Sequence, residues 1–286
     1  MNTVKLAIQK SDRILIDAIK LLNDCNIEFD QLNNHSLQSQ ANNFPIKLFF
    51  LRYHEINSYL DNGLVDLAII GENSLIEDQT TFKLIQRLGF SKCRISLAVP
   101  QNSTYNKITD LANKQIATSY PNITRDFFNK HTTEISIKTL SGSVELAPNI
   151  GLSDAIVDVV STGNTLKQNN LKEISTLLKS EAVLVQKNET NYQKQTTIEQ
   201  LLIRIQSVLK AKKLKSITMN LPDHAIPKIQ TILPTLRSIS VTPLATSGWN
   251  NVHSAIDQES LWPVVNQLKK IGAQDIIVSP LEKMIL

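Results

Sequence analysis

Short apolar segments alternate with segments of helical period along most of this chain. Val4–Gln9 has the composition of a strand, and residues 11–22 carry apolar side chains at the spacing of one helical face. A mostly apolar strand, predicted to be buried, follows at Val65–Ile70 and ends at Gly71. Strands that are apolar on both faces are typical of parallel sheets covered by helices, so the chain is predicted to be an α/β protein.

The same alternation starts again after Arg94–Pro100, which is predicted to lead out of the first group of strands. Residues 107–180 then predict a second α/β lobe, and Glu181–Gln186 predicts a strand that returns to the first lobe. Two lobes joined by two crossing strands form a cleft, where small-ligand sites preferentially occur. This is the architecture of type II periplasmic binding proteins, so a bilobal small-ligand-binding protein is one candidate function.

The last part of the chain has a different order of elements. Residues 216–278 predict strand, helix, strand, strand, helix and strand, which is the ferredoxin-like βαββαβ unit. We therefore predict a first lobe of residues 1–97 plus 183–212, a second lobe of 98–182, and a ferredoxin-like tail of 213–286.

Charge and composition disfavour several classes of partner. The 30 basic and 26 acidic residues are spread along the chain, which argues against a nucleic-acid partner. No apolar run approaches the roughly 20 residues needed to span a bilayer, and the first residues, MNTVKLAIQKSDR, lack the features of a secretory leader. A cytoplasmic protein without a membrane partner is expected. Cys25 and Cys93 have no C-x-x-C spacing and the five histidines are scattered, so neither a disulfide framework nor a zinc site is expected.

The segment Gly151–Leu171, GLSDAIVDVVSTGNTLKQNNL, predicts a strand, a polar turn and a helix. Backbone N–H groups, hydroxyls and the positive end of the helix would converge on one anion at this turn, and its glycine lets the backbone approach closely. Asp154 and Asp158 are predicted to accept hydrogen bonds from vicinal sugar hydroxyls beside that anion. The segment therefore predicts a site for a phosphorylated ribose, although a strand, a turn and a capped helix also occur in α/β proteins without one. The predicted binding residues of the turn are Ser161, Thr162, Gly163, Asn164 and Thr165.

This segment resembles the acidic-acidic-x-x-[ST]-x-G-x-T loop of phosphoribosyltransferases, and in its details the ATP phosphoribosyltransferase family. GLVDLAIIGEN at 63–73, CRISLAVP at 93–100, QIATSYP at 115–121 and SGSVELAP at 141–148 resemble that family in the same order. The resemblance covers nearly the whole chain. It implies that ATP and 5-phosphoribosyl 1-diphosphate are condensed to N1-(5-phosphoribosyl)-ATP and pyrophosphate, the first step of L-histidine biosynthesis. Mg²⁺ would come with the substrate diphosphate, and no metal site of the protein itself is implied.

The resemblance also implies roles for three basic residues that follow strand ends. Lys10, Arg13 and Arg52 would face the phosphates of the two substrates and neutralise the charge of the departing pyrophosphate. Each of them alone is also consistent with a solvated surface residue.

Three further residues would contact the substrates by the same resemblance. Glu72 would bond to the nucleotide or orient a basic partner, Tyr120 would stack on adenine, and Glu145 would lie near the ribose. A loop carboxylate, a packing aromatic and a helix-start carboxylate are their alternative roles.

The chain departs from the family at three positions. The family usually has a glycine at the position of Asp12, a basic residue at that of Gln115, and an arginine in the LNNHSL stretch, at Ser36. If that arginine normally helps hold the leaving pyrophosphate, its absence implies a slower enzyme, compensation by a residue such as Arg13, or a misaligned loop. The three departures together make a catalytically weakened regulatory paralogue an alternative function.

The ferredoxin-like tail is what separates the long, histidine-inhibited form of the family from the short form. In the family, histidine binds between the tails of neighbouring subunits, and dimers assemble into inhibited hexamers. The resemblance therefore implies a homo-oligomer with a site for L-histidine as inhibitor. The residues that match this site are Asn220, Leu244, Thr246, Trp249 and Ala273.

Overall fold

A computed structural model describes residues 3–10, 12–30, 37–187, 192–233 and 239–285 of the chain. These residues form two compact units. One comprises the described residues of 1–20 and 27–195, and the other comprises 21–26 and the described residues of 196–286.

The first unit contains two β-sheets. Its strands are β1 (Val4–Gln9), β2 (Gln38–Gln40), β3 (Ile46–Leu51), β4 (Leu67–Gly71), β5 (Lys83–Arg87), β6 (Cys93–Pro100), β7 (Gln115–Thr118), β8 (Ser136–Thr139), β9 (Ala155–Val160), β10 (Leu171–Ser180) and β11 (Ala182–Gln186). The helices that begin in this unit are α1 (Asp12–Asp24), α2 (Tyr53–Asp61), α3 (Glu72–Glu77), α4 (Pro121–Lys130), α5 (Asn164–Gln168) and α6 (Tyr192–Lys212). Short 3-10 turns occur at Ile108–Leu111 and Val144–Leu146.

The two sheets share one topology. The first has the order β2-β3-β1-β4-β11-β5, in which β3, β1 and β4 are parallel and β11 runs antiparallel between β4 and β5. The second has the order β10-β6-β9-β7-β8, in which β6 runs antiparallel between β9 and β10. The strand that runs antiparallel between two others, β11 in the first sheet and β6 in the second, is the one that follows the passage of the chain from the other sheet. The first sheet has an additional edge strand, β2, which is antiparallel to β3. Two lobes with crossing strands confirm the predicted type II periplasmic-binding-protein-like architecture.

Burial explains why the central strands lack an alternating pattern. All five residues of β4 are buried, and so are Ala155, Ile156 and Val157 at the start of β9. A sheet with both faces covered requires apolar side chains in both directions, which gives continuous apolar runs. These runs hold the carboxyl ends of the strands in place, and those ends carry the site described below.

The sequence pattern of the second lobe predicts helices at 124–130 and 143–149, and the structure differs from both predictions. Helix α4 starts at Pro121, three residues before the predicted start, because proline suits the first helical position, where its missing N–H is not needed. The predicted helix 143–149 is wrong. Ser143 has a left-handed backbone (φ 51°), which interrupts the helical path and leaves only a 3-10 turn.

The second unit contains the ferredoxin-like tail. Its elements are β12 (Leu214–Pro222), a 3-10 turn (Asp223–Ala225), α7 (Ile226–Ile232), β13 (Ser240–Pro243), β14 (Trp249–Asp257), α8 (Leu261–Lys270) and β15 (Gln274–Pro280). The strand order is β13-β14-β12-β15 with every neighbouring pair antiparallel, which confirms the predicted fold of the tail. Its core includes the fully buried Ile217, Met219 and Leu221 on one face of β12.

The three sheets lie within residues 4–87 with 182–186, 93–180 and 214–280. The limits predicted for the three domains, 1–97 plus 183–212, 98–182 and 213–286, stay predictions. None of the helices that the structure describes is both long enough and apolar enough to cross a membrane.

Candidate functional site

A cleft of about 930 Å³ opens between the two lobes of the first unit. Gln9 and Gly71 line it from the ends of β1 and β4, while Thr139 and Asp158 line it from the ends of β8 and β9. Carboxyl ends of parallel strands are where ligand crevices form in open α/β sheets. Further lining side chains include Arg13, Tyr53, His54, Asn73, Glu77, Cys93 and Tyr120.

The predicted turn forms the wall of a smaller pocket of about 260 Å³. Strand β9 ends at Val160, the chain bends through Ser161, Thr162 and Gly163, and α5 begins at the next residue. Gly163 has a left-handed backbone (φ 83°) that favours glycine, while a Cβ placed there would meet nothing closer than 4.0 Å. Backbone conformation, and not lack of space, therefore requires this glycine. The lining residues that match predictions are Arg13, Glu145, Asp158, Ser161, Thr162, Gly163 and Thr165.

Asp158 is the carboxylate that the structure brings to this turn. Its burial, and then the negative charge of Glu145, raise the pKa of Asp158 to about 6. A hydrogen bond that the carboxylate accepts from the Val159 N–H at 2.7 Å acts in the opposite direction and offsets only part of this rise. A ligand that brings hydroxyl donors or positive charge would stabilise the ionised form of this carboxyl. The pocket is therefore suited to such a ligand.

Asp154 lies at the other end of β9, immediately before its first residue, Ala155. Its carboxylate accepts hydrogen bonds from the Gln115 N–H at 3.0 Å and the Tyr105 hydroxyl at 3.3 Å, and it lies 3.9 Å from the Lys114 ammonium. Each strand residue advances about 3.3 Å, so about 13 Å separates Asp154 from Asp158. The prediction that both carboxylates hold one sugar is wrong. The departure at Gln115 lies at this remote end too.

The three predicted basic residues are placed differently from one another. Residues Lys10 and Arg52 follow the neighbouring ends of β1 and β3, and both are exposed. Neither side chain lines the cleft or the smaller pocket, whereas Arg13 on α1 lines both. Asp12 is the first residue of α1, and Ser36 lies outside the described residues.

Glu72 is turned away from the cleft. Both of its carboxylate oxygens accept hydrogen bonds from the Arg87 guanidinium, and Glu181 lies 3.7 Å from the same group. Glu72 thus orients a basic partner, which was one of its two predicted roles, and it does not line the nucleotide-sized cleft. Tyr120 does line the cleft. Burial and then the charge of Asp158 raise the pKa of the Tyr120 phenol above its ordinary value, so the hydroxyl stays neutral.

Polar contacts that the sequence did not predict join the two lobes beside the cleft. The buried Glu77 carboxylate of α3 accepts hydrogen bonds from the backbone N–H groups of Asn122 (2.9 Å) and Ile123 (3.0 Å) in α4. The Asn73 side-chain amide donates to the Tyr120 hydroxyl at 3.2 Å. No local pattern indicates these pairs, because their partners lie 45 to 47 residues apart.

The five predicted inhibitor residues lie at one end of the tail sheet. This is the end at which β12 and β13 finish and β14 and β15 begin, with Asn220 opposite Asn251 and Trp249 opposite Pro222. Asn220 donates to the Asp275 carboxylate at 2.9 Å and accepts from the Asn251 amide at 3.1 Å. Leu244 and Thr246 lie on the turn between β13 and β14, and Ala273 immediately precedes β15.

The architecture, the turn and the cleft together place the protein among enzymes that transfer a phosphorylated pentose. A family model described as HisG, ATP phosphoribosyltransferase, matches residues 52–207, and one described as HisG, C-terminal domain, matches 211–283. An ATP phosphoribosyltransferase of Cytophaga hutchinsonii is 42% identical over 286 residues, covering 100% of both chains. One of Phocaeicola vulgatus is 39% identical over 283 residues, covering 99% of this chain and 100% of the relative.

A solved structure agrees with these relatives. The ATP phosphoribosyl transferase (HisG:HisZ) complex from Thermotoga maritima aligns with a TM-score of 0.62 and 29% identity, covering 73% of this chain and 99% of that chain. The chain belongs to the ATP phosphoribosyltransferase family, in its long form. It condenses ATP with 5-phosphoribosyl 1-diphosphate in the first step of L-histidine biosynthesis.

Proposed function

We propose that the smaller pocket binds the phosphoribosyl group of 5-phosphoribosyl 1-diphosphate. The observation that carries this proposal is the meeting of the Ser161–Thr165 turn, Asp158 and Arg13 around one cavity of about 260 Å³. The turn offers backbone N–H groups and hydroxyls to the 5-phosphate, while Asp158 offers acceptors to the ribose hydroxyls. The larger cleft of about 930 Å³ has room for ATP, with adenine against Tyr120.

In the proposed mechanism, the lone pair of adenine N1 attacks the anomeric carbon as the bond from that carbon to the diphosphate oxygen breaks. The configuration inverts, and positive charge develops on the ribose in an oxocarbenium-like transition state. Asp158 and Glu145 place negative charge beside the ribose, and Arg13 places positive charge beside the departing diphosphate. Lys10 and Arg52, exposed at the neighbouring strand ends, are proposed to approach that diphosphate from the first lobe.

We propose Mg²⁺ as a companion of the diphosphate. Among the described residues, no group of three or more histidine, cysteine or carboxylate side chains is placed to hold a metal. Two carboxylates in one pocket fit a cation that keeps water and substrate oxygens as its other ligands. Such an ion would neutralise diphosphate charge.

We also propose that the protein is located in the cytoplasm, because both substrates are highly charged metabolites that do not cross a bilayer unaided.

The tail is proposed to bind L-histidine as a feedback inhibitor and to assemble dimers into hexamers. The clustering of the five matching residues at one end of its sheet supports this, since a ligand there would contact several strands at once. The edge strand β13 is exposed at all four residues, which leaves an edge open for a neighbouring subunit.

A steady-state assay tests the site. Purified protein with ATP, 5-phosphoribosyl 1-diphosphate and Mg²⁺ is expected to release pyrophosphate, and histidine is expected to suppress the release. Thr162→Ala should raise KM for 5-phosphoribosyl 1-diphosphate roughly tenfold through loss of a hydrogen bond to a charged group. Asp154→Asn is the matched control, because Asp154 immediately precedes β9 at the end remote from the turn.

Two outcomes would contradict the proposal. An unchanged KM for 5-phosphoribosyl 1-diphosphate in Thr162→Ala would contradict the proposal that the turn binds the 5-phosphate. Absence of turnover with ATP binding intact would favour the alternative of a catalytically weakened regulatory paralogue.

A further inference from the structure

Arg94 lies behind the turn that forms the smaller pocket. It is the second residue of β6, directly opposite Val160, the last residue of β9. Its guanidinium Nη1 donates to the backbone carbonyl of Ser161 at 3.1 Å. Its side chain lines neither the cleft nor the smaller pocket, so Arg94 contacts the turn from the side away from the proposed ligand.

Glu173 on β10 fixes the orientation of this guanidinium. Its two carboxylate oxygens accept hydrogen bonds from Arg94 Nε at 2.7 Å and Nη2 at 2.6 Å. The same carboxylate accepts from the Ser96 hydroxyl at 2.8 Å and the Thr176 hydroxyl at 3.2 Å. Four donors on one carboxylate leave it little freedom to turn, so the planar fork of Arg94 is held at a defined angle.

The contact to Ser161 acts at the start of the turn, directly before the exposed Thr162. The Ser161 carbonyl precedes the backbone N–H of Thr162, so a bond to this carbonyl restricts the peptide plane that carries that N–H. Within the turn, the Asn164 N–H donates to the Thr162 hydroxyl at 3.4 Å, which is long for a hydrogen bond and restrains the backbone only weakly. Because this peptide plane is already fixed, the turn loses less conformational entropy when it binds a phosphate.

We infer that Arg94 and Glu173 are positioning residues that preorganise the Ser161–Thr165 turn for the phosphoribosyl donor. This inference rests on the proposed role of the turn as the donor site. The ionic character of the pair agrees with it, because the hydrogen bonds from Arg94 hold the pKa of Glu173 at about 2, and the carboxylate is ionised at any working pH.

Arg94→Lys tests the inference in the full-length protein. Lysine keeps the positive charge but cannot bridge two carboxylate oxygens and the Ser161 carbonyl at once. We expect KM and the calorimetric Kd for 5-phosphoribosyl 1-diphosphate with Mg²⁺ to rise roughly tenfold, while KM for ATP changes less than about twofold. Glu173→Gln should raise the donor Kd by a smaller factor, roughly threefold, because it weakens the restraint without removing Arg94.

The matched control is Arg125→Lys. Arg125 is an exposed arginine of the same lobe that donates to Asn122 on its own helix, at 2.8 Å. It should leave both KM values and the donor Kd unchanged. If Arg94→Lys fails to fold, the donor Kd of Glu173→Gln tests the inference in its place.

Three results are decisive. A selective rise in donor Kd and KM in Arg94→Lys supports the inference. A lower melting temperature with unchanged donor Kd overturns it and leaves the donor site standing, because a purely structural pair affects stability and not donor affinity. Failure of the wild-type protein to bind the donor overturns the donor site and this inference together.

Discussion

The negative charge of Asp158 is proposed to assist the reaction, but its partial burial lowers the stability of the folded protein. Its pKa is about 6 in the folded protein and 3.8 in the unfolded chain, so the folded state holds this proton more tightly. Stability from this group therefore falls as pH rises from about 4 to about 6, because the unfolded chain ionises first. Above that range the folded protein carries a partly buried negative charge, which desolvation disfavours.

Asp158→Asn is predicted to relieve this conflict. The amide keeps the shape of the side chain without its charge, so the melting temperature at pH 7.5 should rise by about 3 °C. The gain should shrink towards zero as the pH is lowered to about 4, where the wild-type carboxyl is protonated. Turnover should fall strongly at every pH, since the charge beside the ribose is lost. Differential scanning fluorimetry across pH, with an activity assay, measures both effects.

Asp154→Asn provides the comparison at the residue scale. Asp154 accepts two hydrogen bonds at the remote end of the strand, so its amide variant should be destabilised at neutral pH and keep its turnover. A stabilised Asp154 variant, or an Asp158 variant whose melting temperature shift is the same at pH 4 and 7.5, would contradict the burial argument.

At the scale of elements, the start of α4 is held by a helix of the other lobe. Pro121 has no N–H, so Asn122 and Ile123 provide the first backbone donors of α4, and Glu77 accepts from both. A carboxylate at a helix N-terminus is also favoured by the helix dipole. The contact joins α3 to α4 at the wall of the cleft.

Removing this carboxylate should loosen α4. Glu77→Ala leaves the buried Ile123 N–H and the partly buried Asn122 N–H without this acceptor and should lower the unfolding free energy by about 2–3 kcal/mol. Glu77→Gln keeps one acceptor oxygen and should cost about half as much. Hydrogen exchange at Asn122 and Ile123 is the direct measurement. Glu134→Ala, an exposed change in the same lobe, serves as control, and protection of both amides in Glu77→Ala would refute the role.

Sequence patterns predict those elements whose signal lies in adjacent residues of the chain. Continuous apolar runs predicted β4 and β9, and the turn after β9 was found because its residue types are adjacent in sequence. Strand β10 was missed, because two register shifts against β6 break its alternation. The sequence does not place Asp154 correctly, because Asp154 and Asp158 are close in sequence but an extended strand holds them far apart in space. The Arg94–Glu173 pair has no sequence signal, since its members are 79 residues apart.

For the molecule as a whole, the ferredoxin-like tail is proposed to make the enzyme responsive to L-histidine, and its two tryptophans offer a means to test this. Trp249 begins β14 beside the proposed histidine residues, whereas Trp262 on α8 is 73% exposed. These are the two tryptophans of the chain. Each single-tryptophan variant therefore reports on one place in the tail.

We predict that L-histidine changes the emission of Trp262→Phe, in which Trp249 is the remaining indole, and leaves that of Trp249→Phe nearly unchanged. Trp262→Phe should keep its inhibition by histidine. Trp249→Phe should need roughly tenfold more histidine for half inhibition, because the ligand loses part of an aromatic contact of about 1 kcal/mol or more. Fluorescence titration gives the histidine concentration at half of the emission change, and the pyrophosphate assay gives the histidine concentration at half inhibition. These two midpoints should coincide in Trp262→Phe. Equal emission changes in both variants would place the histidine site away from the turn between β13 and β14.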